Sequence, residues 1–462
     1  MTAAQMPYHV AGRRLVAVSS GAAVVISPPP VLYIVPDGGK SVCPGAGAGR
    51  ESTFVPGPGL FADVTPLRES VEFRWLWAGQ SLSSIGSFMT MVAVAIQTYD
   101  LTGSSVAVGA ISLASLVPTL LLGLFGGSLA DAVDRRRLVL LTGCGLMIVS
   151  LLFAVQALLD WRQVWLLYLL TATSAAVSAI DVPARRTFIP RVLPVKRLQA
   201  AAALSQLSFQ VAVIAAPVLA GVLIASAGLE AAYGLDALTF VAVLVSVRRL
   251  PPMPPDSGGS KLGLRSVVEG VKYAVNHKLI GMIFLIDLNA TVLAMPTALF
   301  PALAATRFGG GPRTVGYLFA AIGVGGLIAA ILSGPLARLR HQGRAMLISV
   351  AIWGAGIGSV GLTHNLWLAV TFLAVAGAAD IVTTVFRATI LQTKTPDDLR
   401  GRLNSLDFII GLGGPNLGNV RAGTVAGLAG PTISILTGGA ACVLGVLLLT
   451  TNKTFRRYDA ST

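Results

Sequence analysis

The sequence predicts an all-α membrane protein with twelve transmembrane helices arranged in two six-helix bundles. Of its 462 residues, 54% are hydrophobic and 12% are charged, which is about half the charge of an ordinary soluble domain. A bilayer-spanning helix needs roughly 20 apolar residues, and segments of that kind recur twelve times after residue 72. Lysines and arginines collect in alternate loops between these segments, as they do in multi-pass membrane proteins.

The predicted spans form two sets of six, and a linker separates the sets. The first set covers residues 74–99, 105–129, 138–159, 163–182, 199–226 and 231–247, and the second covers 279–304, 314–335, 345–363, 366–386, 404–429 and 432–450. The chain therefore divides into a disordered leader (1–70), an N-terminal bundle (71–250), a cytoplasmic linker (251–278), a C-terminal bundle (279–452) and a cytoplasmic tail (453–462). Within the linker, residues 264–278 have the pattern of an interfacial amphipathic helix.

The first 70 residues are rich in proline and glycine and show no helical periodicity. They lack an apolar pattern that would offset the entropy of ordering, so we predict that they do not fold. Arg13 and Arg14 precede an apolar stretch that has the look of a short signal sequence, but the first span needs no second targeting device. A start codon assigned too far upstream explains this leader equally well, because the membrane part begins near Phe73.

The distribution of cations predicts the orientation. If the N-terminus is cytoplasmic, the inside loops and the tail hold 24 lysines and arginines, whereas the outer loops hold only Arg162, Arg307 and Arg313. The positive-inside rule then places both termini in the cytoplasm of a multi-pass protein of the cytoplasmic membrane.

Several functional classes find no support in the sequence. The net charge of +14 comes without a basic stripe of interleaved aromatics, so we expect no nucleic-acid partner. The three cysteines and four histidines are scattered, which predicts neither disulfides nor a metal site. With no catalytic constellation either, we expect a monomeric non-enzyme without cofactors, whose partners are the lipid bilayer and a small-molecule substrate.

One hairpin, residues 126–137, differs from an ordinary loop between two spans. Gly127 and Ala130 allow two helices to approach closely, and Asp131 can accept hydrogen bonds from the N-terminal amides of a neighbouring helix. Asp134, beside three arginines, offers local pairing. An ordinary membrane hairpin with a positive flank is the simpler alternative. The conformational latch that we predict here consists of Gly127, Asp131, Arg135 and Arg136.

The two halves contain a repeat, because Arg185, Thr187 and Pro194 recur 202 residues later. The fourth and tenth spans around this repeat carry polar stripes at helical spacing, which lipid would not tolerate. Hydrogen bonding between helices explains the hydroxyls but explains the acids poorly. Asp181 has Arg185 one turn away and is expected to form an ion pair. The predicted cavity-lining residues are Gln80, Ser84, Ser174, Ser178, Asp181, Thr291, Thr383, Thr384 and Arg387.

Two acids in the predicted spans are candidates for binding a proton inside the membrane. Asp287 lies about 12 Å into the seventh span at 1.5 Å per residue, and Asp380 belongs to the polar stripe of the tenth. A carboxylate in a poorly hydrated cavity is pushed towards protonation. An equally good alternative is a purely structural role, in which Asp287 bonds one polar side chain of the eleventh span: Asn416, Asn419 or Arg421.

The hairpin resembles the loop between helices 2 and 3 of the major facilitator superfamily, Gly-x-Leu-Ala-Asp-Arg-x-Gly-Arg-Arg, from which it departs at Ala132 and Asp134. The matching positions are Gly127, Leu129, Ala130, Asp131, Arg135 and Arg136. In the fifth span, Ala216, Pro217 and Gly221 resemble the antiporter motif of that superfamily, with alanines in place of three of its glycines. Segments 300–304, 315–321 and 391–396 look like those of the enterobactin exporter family, whose relatives include macrolide and multidrug efflux proteins.

This resemblance implies proton-linked export of an amphiphilic molecule by alternating access across the cytoplasmic membrane. A siderophore such as an enterobactin-like catecholate is the expected cargo, and macrolide or multidrug efflux is the alternative. It also implies that the first, fourth, seventh and tenth helices line a central cavity, which favours Asp287 and Asp380 over Asp236 as carriers of the coupling proton. Import stays open, since the same fold works in both directions. A receptor or scaffold would need a soluble signalling domain, and a channel would need a charged ring or a filter sequence.

Overall fold

The computed structural model describes residues 63–253, 264–332, 341–396 and 399–450, and four short strands nearer the N-terminus. Contacts divide the chain into two units, Met1–Leu60 and Phe61–Thr462. The predicted tail 453–462 and the linker residues 254–263 lie outside the described residues.

The first unit contains an antiparallel four-stranded sheet in the order β1-β2-β3-β4. The strands are β1 (His9–Val10), β2 (Arg13–Val18), β3 (Ala22–Val25) and β4 (Tyr33–Val35). Valine and isoleucine favour this extended conformation, since β-branched side chains pack well on a pleated surface. These strands differ from the predicted lack of regular structure in residues 1–70. The division of the chain into leader and bundles stays a prediction.

The second unit is helical where it is described. Its helices are α1 (Thr65–Glu69), α2 (Val71–Thr102), α3 (Ser105–Ala132), α4 (Arg135–Leu158), α5 (Val164–Arg186), α6 (Ile189–Val192), α7 (Leu198–Arg248), α8 (Leu264–Asn276), α9 (Lys278–Ala294), α10 (Phe300–Thr306), α11 (Pro312–Ile331), α12 (Gln342–Val360), α13 (Leu366–Lys394), α14 (Arg400–Ala429) and α15 (Pro431–Leu449).

Ten helical segments in the described residues are long and apolar enough to cross a membrane. One of them contains α7, which covers both the fifth and the sixth predicted spans and is interrupted between them at Gly228 (φ 85°, ψ 174°). A positive φ of this kind favours glycine because it has no Cβ. The eleventh predicted span corresponds to α14, which is 30 residues long but carries Arg402, Asp407 and Arg421 and is not among the ten.

The seventh predicted span, 279–304, lies within one membrane-length segment, Lys278–Thr306, but its helix is interrupted. α9 ends at Ala294, a 3₁₀ turn follows at Thr297–Leu299, and α10 begins at Phe300. Pro296 causes the break, because proline lacks an N–H and forces the residue before it into an extended conformation. Met295 has that conformation, with φ −70° and ψ 121°.

The helices pack as two groups. In the first group α2 and α4 pack against α7, and α3 packs against α5; in the second, α13 packs against α11 and α12, and α9 packs against α14. The groups meet where α3 packs against α14 and where α7 packs against α11. Large apolar side chains such as Leu141 and Leu158, which are 72% and 70% exposed, cover the outside of the helices as expected for lipid contact.

The predicted amphipathic helix is present as α8. Its Glu269 pairs with Arg402 of α14 at 3.0 Å, and Ala274 is buried against α9 and α14 while Val275 is exposed. One side of α8 therefore packs on the second group of helices. Its position at a membrane interface stays a prediction.

Candidate functional site

Two cavities lie beside α2 and α5. The large cavity, about 520 Å³, is formed by α2, α4, α5 and α7 near the end where α2 begins and α5 ends. The small cavity, about 300 Å³, lies further along α2 and is formed by both helix groups, since α14 and the 3₁₀ turn before α10 contribute to its wall. Ser87, Met91 and Ser178 line both cavities, so the two are adjacent.

Small hydroxyls and aromatic rings make up much of the large cavity wall. The serines are Ser81, Ser83, Ser84, Ser87, Ser178, Ser205 and Ser208, and the aromatic residues are Trp77, Phe88, Phe209 and Phe240. Several of these hydroxyls donate to carbonyls of their own helix, such as Ser84 Oγ to the Gln80 carbonyl at 2.9 Å. A hydroxyl bonded in this way still offers lone pairs to a ligand.

The charges in the large cavity are largely paired. Asp181 is 4% exposed, forms an ion pair with Arg185, and accepts a hydrogen bond from Thr142 Oγ1 at 2.5 Å. The predicted pair on the fourth span is therefore confirmed. Arg186 also lines this cavity, so a second arginine stands beside the Asp181–Arg185 pair, and the other polar side chains of the wall are neutral, chiefly serines and Gln80.

Asn419 of α14 closes one side of the small cavity. Its Oδ1 accepts hydrogen bonds from Thr297 Oγ1 at 2.7 Å and from the Ala298 amide at 3.1 Å. This contact joins α14 to the turn that follows the Pro296 break, so the break places polar groups at the cavity.

The predicted cavity-lining residues fall into two sets in the structure. Gln80, Ser84, Ser178 and Asp181 line the large cavity, and Ser174 and Ser178 line the small one. Neither cavity is lined by the predicted residues of the second helix group, which are Thr291, Thr383, Thr384, Arg387, Asp287 and Asp380. Thr384 is exposed on α13 and Thr383 is buried.

Asp287, Arg387 and Asp407 form an ion-pair cluster between α9, α13 and α14. Arg387 Nη1 lies 2.6 Å from Asp287 Oδ2 and 3.5 Å from Asp407 Oδ1. Asp380 lies two turns before Arg387, on the same face of α13. Among the described residues, the side-chain partner of Asp287 is thus Arg387 of α13, rather than Asn416, Asn419 or Arg421 of α14.

The hairpin between α3 and α4 is held against the end of α7. Asp134 caps α4 by accepting from the Arg137 amide at 2.9 Å, and its other oxygen accepts from the Met253 amide at 3.0 Å. The Arg135 amide donates to the Met253 carbonyl at 3.1 Å, and Arg136 Nη2 donates to the Arg248 carbonyl at 2.6 Å. Asp134, which departs from the superfamily motif, therefore binds main-chain amides of α4 and of the segment that follows α7.

The other two latch residues, Gly127 and Asp131, lie in the last turns of α3, and their side chains are outside the described residues. The partners of Asp131 therefore stay a prediction.

The antiporter-like residues lie where α7 meets α11. Ala216 is fully buried, and Gly316 of α11 packs directly on the Pro217 carbonyl. A methyl group on Gly221 would lie 2.6 Å from the Pro312 carbonyl oxygen, well inside van der Waals contact. At the α3–α14 crossing, a methyl group on Gly109 would lie 2.7 Å from the Asn419 carbonyl. Glycines thus permit the close approach of the two helix groups at both crossings.

Sequence reasoning missed three features of these sites. Asp407 shares Arg387 with Asp287, Asn419 closes the small cavity, and Asp236 accepts two hydrogen bonds from neighbouring helices. Asp407 and Asn419 stand out as polar residues in an apolar region, but their partners lie on other elements, Arg387 on α13 and Thr297 in a turn 122 residues before Asn419.

Residues 61–461 match the family described as "Transmembrane secretion effector". The chain is 29% identical over 400 residues to the enterobactin exporter EntS of Shigella boydii serotype 18 (strain CDC 3083-94 / BS512), with 86% of this chain and 95% of that protein covered. It is equally similar to the enterobactin exporter EntS of Escherichia coli O139:H28 (strain E24377A / ETEC), with the same coverage.

Solved structures of transporters share the fold. The nucleoside transporter NupG matches with a TM-score of 0.66 at 14% identity, covering 82% of this chain and 98% of that one. A bacterial homologue of the iron transporter ferroportin, in an inward-facing state, matches with a TM-score of 0.63 at 16% identity, with the same coverage. The chain belongs to the transmembrane secretion effector family of the major facilitator superfamily, as a multi-pass, enterobactin-exporter-like transporter rather than an enzyme.

Proposed function

We propose that this protein exports an amphiphilic small molecule across the cytoplasmic membrane by alternating access, with proton antiport as the energy source. The proposed cargo is a siderophore such as an enterobactin-like catecholate. The observation that carries this proposal is the pair of adjacent cavities lined by serines and aromatic rings, in which Asp181 balances Arg185. Such a wall suits a bulky ligand with many hydrogen-bonding groups and aromatic surface.

The proposed topology has twelve spans. The two parts of α7 on either side of Gly228 count as separate spans, and α14, whose 30 residues exceed the bilayer thickness, is the remaining one. Both termini are cytoplasmic, as the cation distribution favours. In this orientation the large cavity lies near the cytoplasmic ends of α2 and α5, and the close crossings at Gly109 and Gly221 lie towards the outside. The arrangement fits a state that receives cargo from the cytoplasm.

For coupling, we propose that Asp287 exchanges a proton with the outside medium, with Asp380 as the second candidate. Protonation of Asp287 would remove its charge from Arg387, which has Asp407 as an alternative partner at 3.5 Å. Because α9, α13 and α14 each supply one member of this cluster, a change of partner would alter the packing of three helices. The protein acts as a monomer, and the latch residues Gly127, Asp131, Arg135 and Arg136 favour one docked arrangement of the helix groups.

The junction of the two cavities offers a direct test. Ser178→Phe places a ring where the cavities adjoin, whereas Thr173→Phe places the same ring on an exposed position of the same helix. We expect Ser178→Phe to abolish the release of catecholate siderophore from expressing cells and Thr173→Phe to leave it unchanged, with both variants present in the membrane at equal levels.

Two other outcomes would change the proposal. If expression protects cells from macrolides or dyes and leaves extracellular siderophore unchanged, the cargo is a drug and the multidrug alternative is correct. If Ser178→Phe transports as well as Thr173→Phe, the cavities are not the cargo path.

A further inference from the structure

A buried carboxyl group lies in the N-terminal helix group, apart from the Arg387 cluster. Asp236, in the second part of α7, is 2% exposed and faces α2 and α4. Thr90 Oγ1 of α2 donates to its Oδ2 at 2.8 Å, and Ser150 Oγ of α4 donates to the same oxygen at 2.7 Å. Three helices therefore converge on this one group.

Asp236 has no cationic partner in the part of the chain that the structure describes, whereas Asp181 and Asp287 each pair with an arginine. The facing stretches of α2 (83–97) and α4 (143–157) contain no charged residue, and their one titratable side chain is Cys144. On α7 itself, Tyr233 is one turn away and donates its hydroxyl to Gln97 at 2.8 Å, and Glu230 lies one turn beyond it. An ionised Asp236 would be an uncompensated buried charge, which is strongly unfavourable.

The hydrogen bonds around Asp236 are unequal. Two hydroxyls donate to Oδ2, but among the described residues Oδ1 accepts no hydrogen bond. An ionised carboxylate needs donors at both oxygens, whereas in a neutral carboxylic acid one oxygen accepts and the other carries the proton. Oδ1 lies over Gly86 beside Thr239, since a methyl group on Gly86 would overlap Oδ1 and lie 2.5 Å from the Thr239 hydroxyl. Thr239 Oγ1, which lies beside Oδ1, donates instead to the Asp236 main-chain carbonyl at 2.7 Å. Its lone pairs can therefore accept a proton carried by Oδ1, which is the pattern of a protonated acid.

We propose that Asp236 is a proton-binding site of this transporter, neutral in the present state, with Oδ2 as its carbonyl oxygen and Oδ1 as its hydroxyl. On release, the O–H bond at Oδ1 breaks, its electron pair stays on the carboxylate, and the proton goes to a water molecule. Water has to reach the site for this step, so α2 and α4 must move away from α7 when the proton leaves.

Thr90 connects this site to the cargo path, because it lines the small cavity and also donates to Asp236. A ligand hydroxyl that donates to Thr90 Oγ1 would strengthen the Thr90 donation to the carboxyl group, since hydrogen bonds in a chain polarise one another. A stronger donor stabilises the carboxylate and favours release of the proton. Cargo binding would therefore expel the proton, which is the sign that antiport requires. This coupling rests on the proposed export function, but the protonation itself does not.

Infrared difference spectroscopy of the full chain in lipid tests the protonation without any cargo. We expect the carbonyl band of a protonated carboxylic acid at neutral pH, absent in Asp236→Asn. Thr90→Val keeps the shape but removes one donor to Oδ2, so the same band should move to higher frequency. A wild-type spectrum without this band, or a band unaffected by both substitutions, would overturn the proposal.

Sodium is the competing occupant, because a carboxylate and hydroxyls are also ligands for a hard cation. If the acid band is absent and Na⁺ raises the thermal stability of the wild type but not of Asp236→Asn, the site binds Na⁺ rather than a proton. If Asp236→Asn does not fold, the shift in Thr90→Val decides alone, and an unshifted band refutes the assignment. A shifted band together with no export of any cargo would leave the proton site standing and reject the export function.

Discussion

Replacing Gly221 by alanine tests whether the α7–α11 crossing holds the cavities in the present state. The new methyl group would lie 2.6 Å from the Pro312 carbonyl oxygen, and ordinary van der Waals contact begins at 3.4 Å, so the backbones must separate by about 0.8 Å. Overpacking of this kind costs about 1–3 kcal/mol. If the crossing is close only in this state, the equilibrium shifts away from it by roughly 5- to 150-fold.

The assay is the labelling rate of a single cysteine at Ser84, in the large cavity, by a membrane-impermeant maleimide in a chain without its native cysteines. Gly221→Ala should slow labelling from the cytoplasmic side. Gly234→Ala is the matched control, because it lies on the same helix, gains the same helix propensity, and its methyl group would meet nothing within 4 Å. Equal labelling rates in the two variants would refute the view that this crossing closes one side of the transporter.

Three further predictions concern coupling, the hairpin and topology. Asp287→Asn keeps the side-chain shape but cannot release a proton, so uphill efflux should be lost while cargo binding is kept; pH-dependent efflux at the normal rate would make the ion pair structural only. Asp134→Ala removes the helix cap and the acceptor of the Met253 amide. The protein should lose about 0.5–2 kcal/mol of stability and melt at a lower temperature, and an unchanged melting temperature would show that the hairpin contact is unimportant. Reporter fusions at Ser257 and Gly310 should give cytoplasmic and external signals respectively, and signals from the same side would contradict the twelve-span topology.

The sequence predicted the helices well where the signal was local. Apolar length located the spans, and the i, i+4 spacing of Asp181 and Arg185 gave their ion pair. Helix ends were less accurate: α13 continues to Lys394, beyond the predicted residue 386. Apolarity marks the hydrocarbon limit, and a helix continues past it through polar residues. The break at Pro296 was also within reach, since proline is the cause.

Contacts between distant elements were beyond sequence reasoning. Arg387 finds Asp287 on a helix 100 residues earlier, and Asp236 collects donors from two other helices. A polar stripe indicates only that a helix face avoids lipid, and it does not say whether that face meets a cavity or another helix. The structure shows both cases: the polar stripe of α5 lines a cavity, whereas that of α13 contributes an arginine to an ion-pair cluster.

Accumulation of cargo against its gradient tests the central claim most directly. Purified protein would be reconstituted into liposomes with an acidic interior, and uptake of a labelled catecholate siderophore would be followed beside protein-free liposomes. The account predicts accumulation above the external concentration, driven by outward proton flow through inverted molecules, and its collapse when a protonophore is added. Uptake that stops at equal concentrations, or that is unaffected by the protonophore, would contradict a proton-driven exporter.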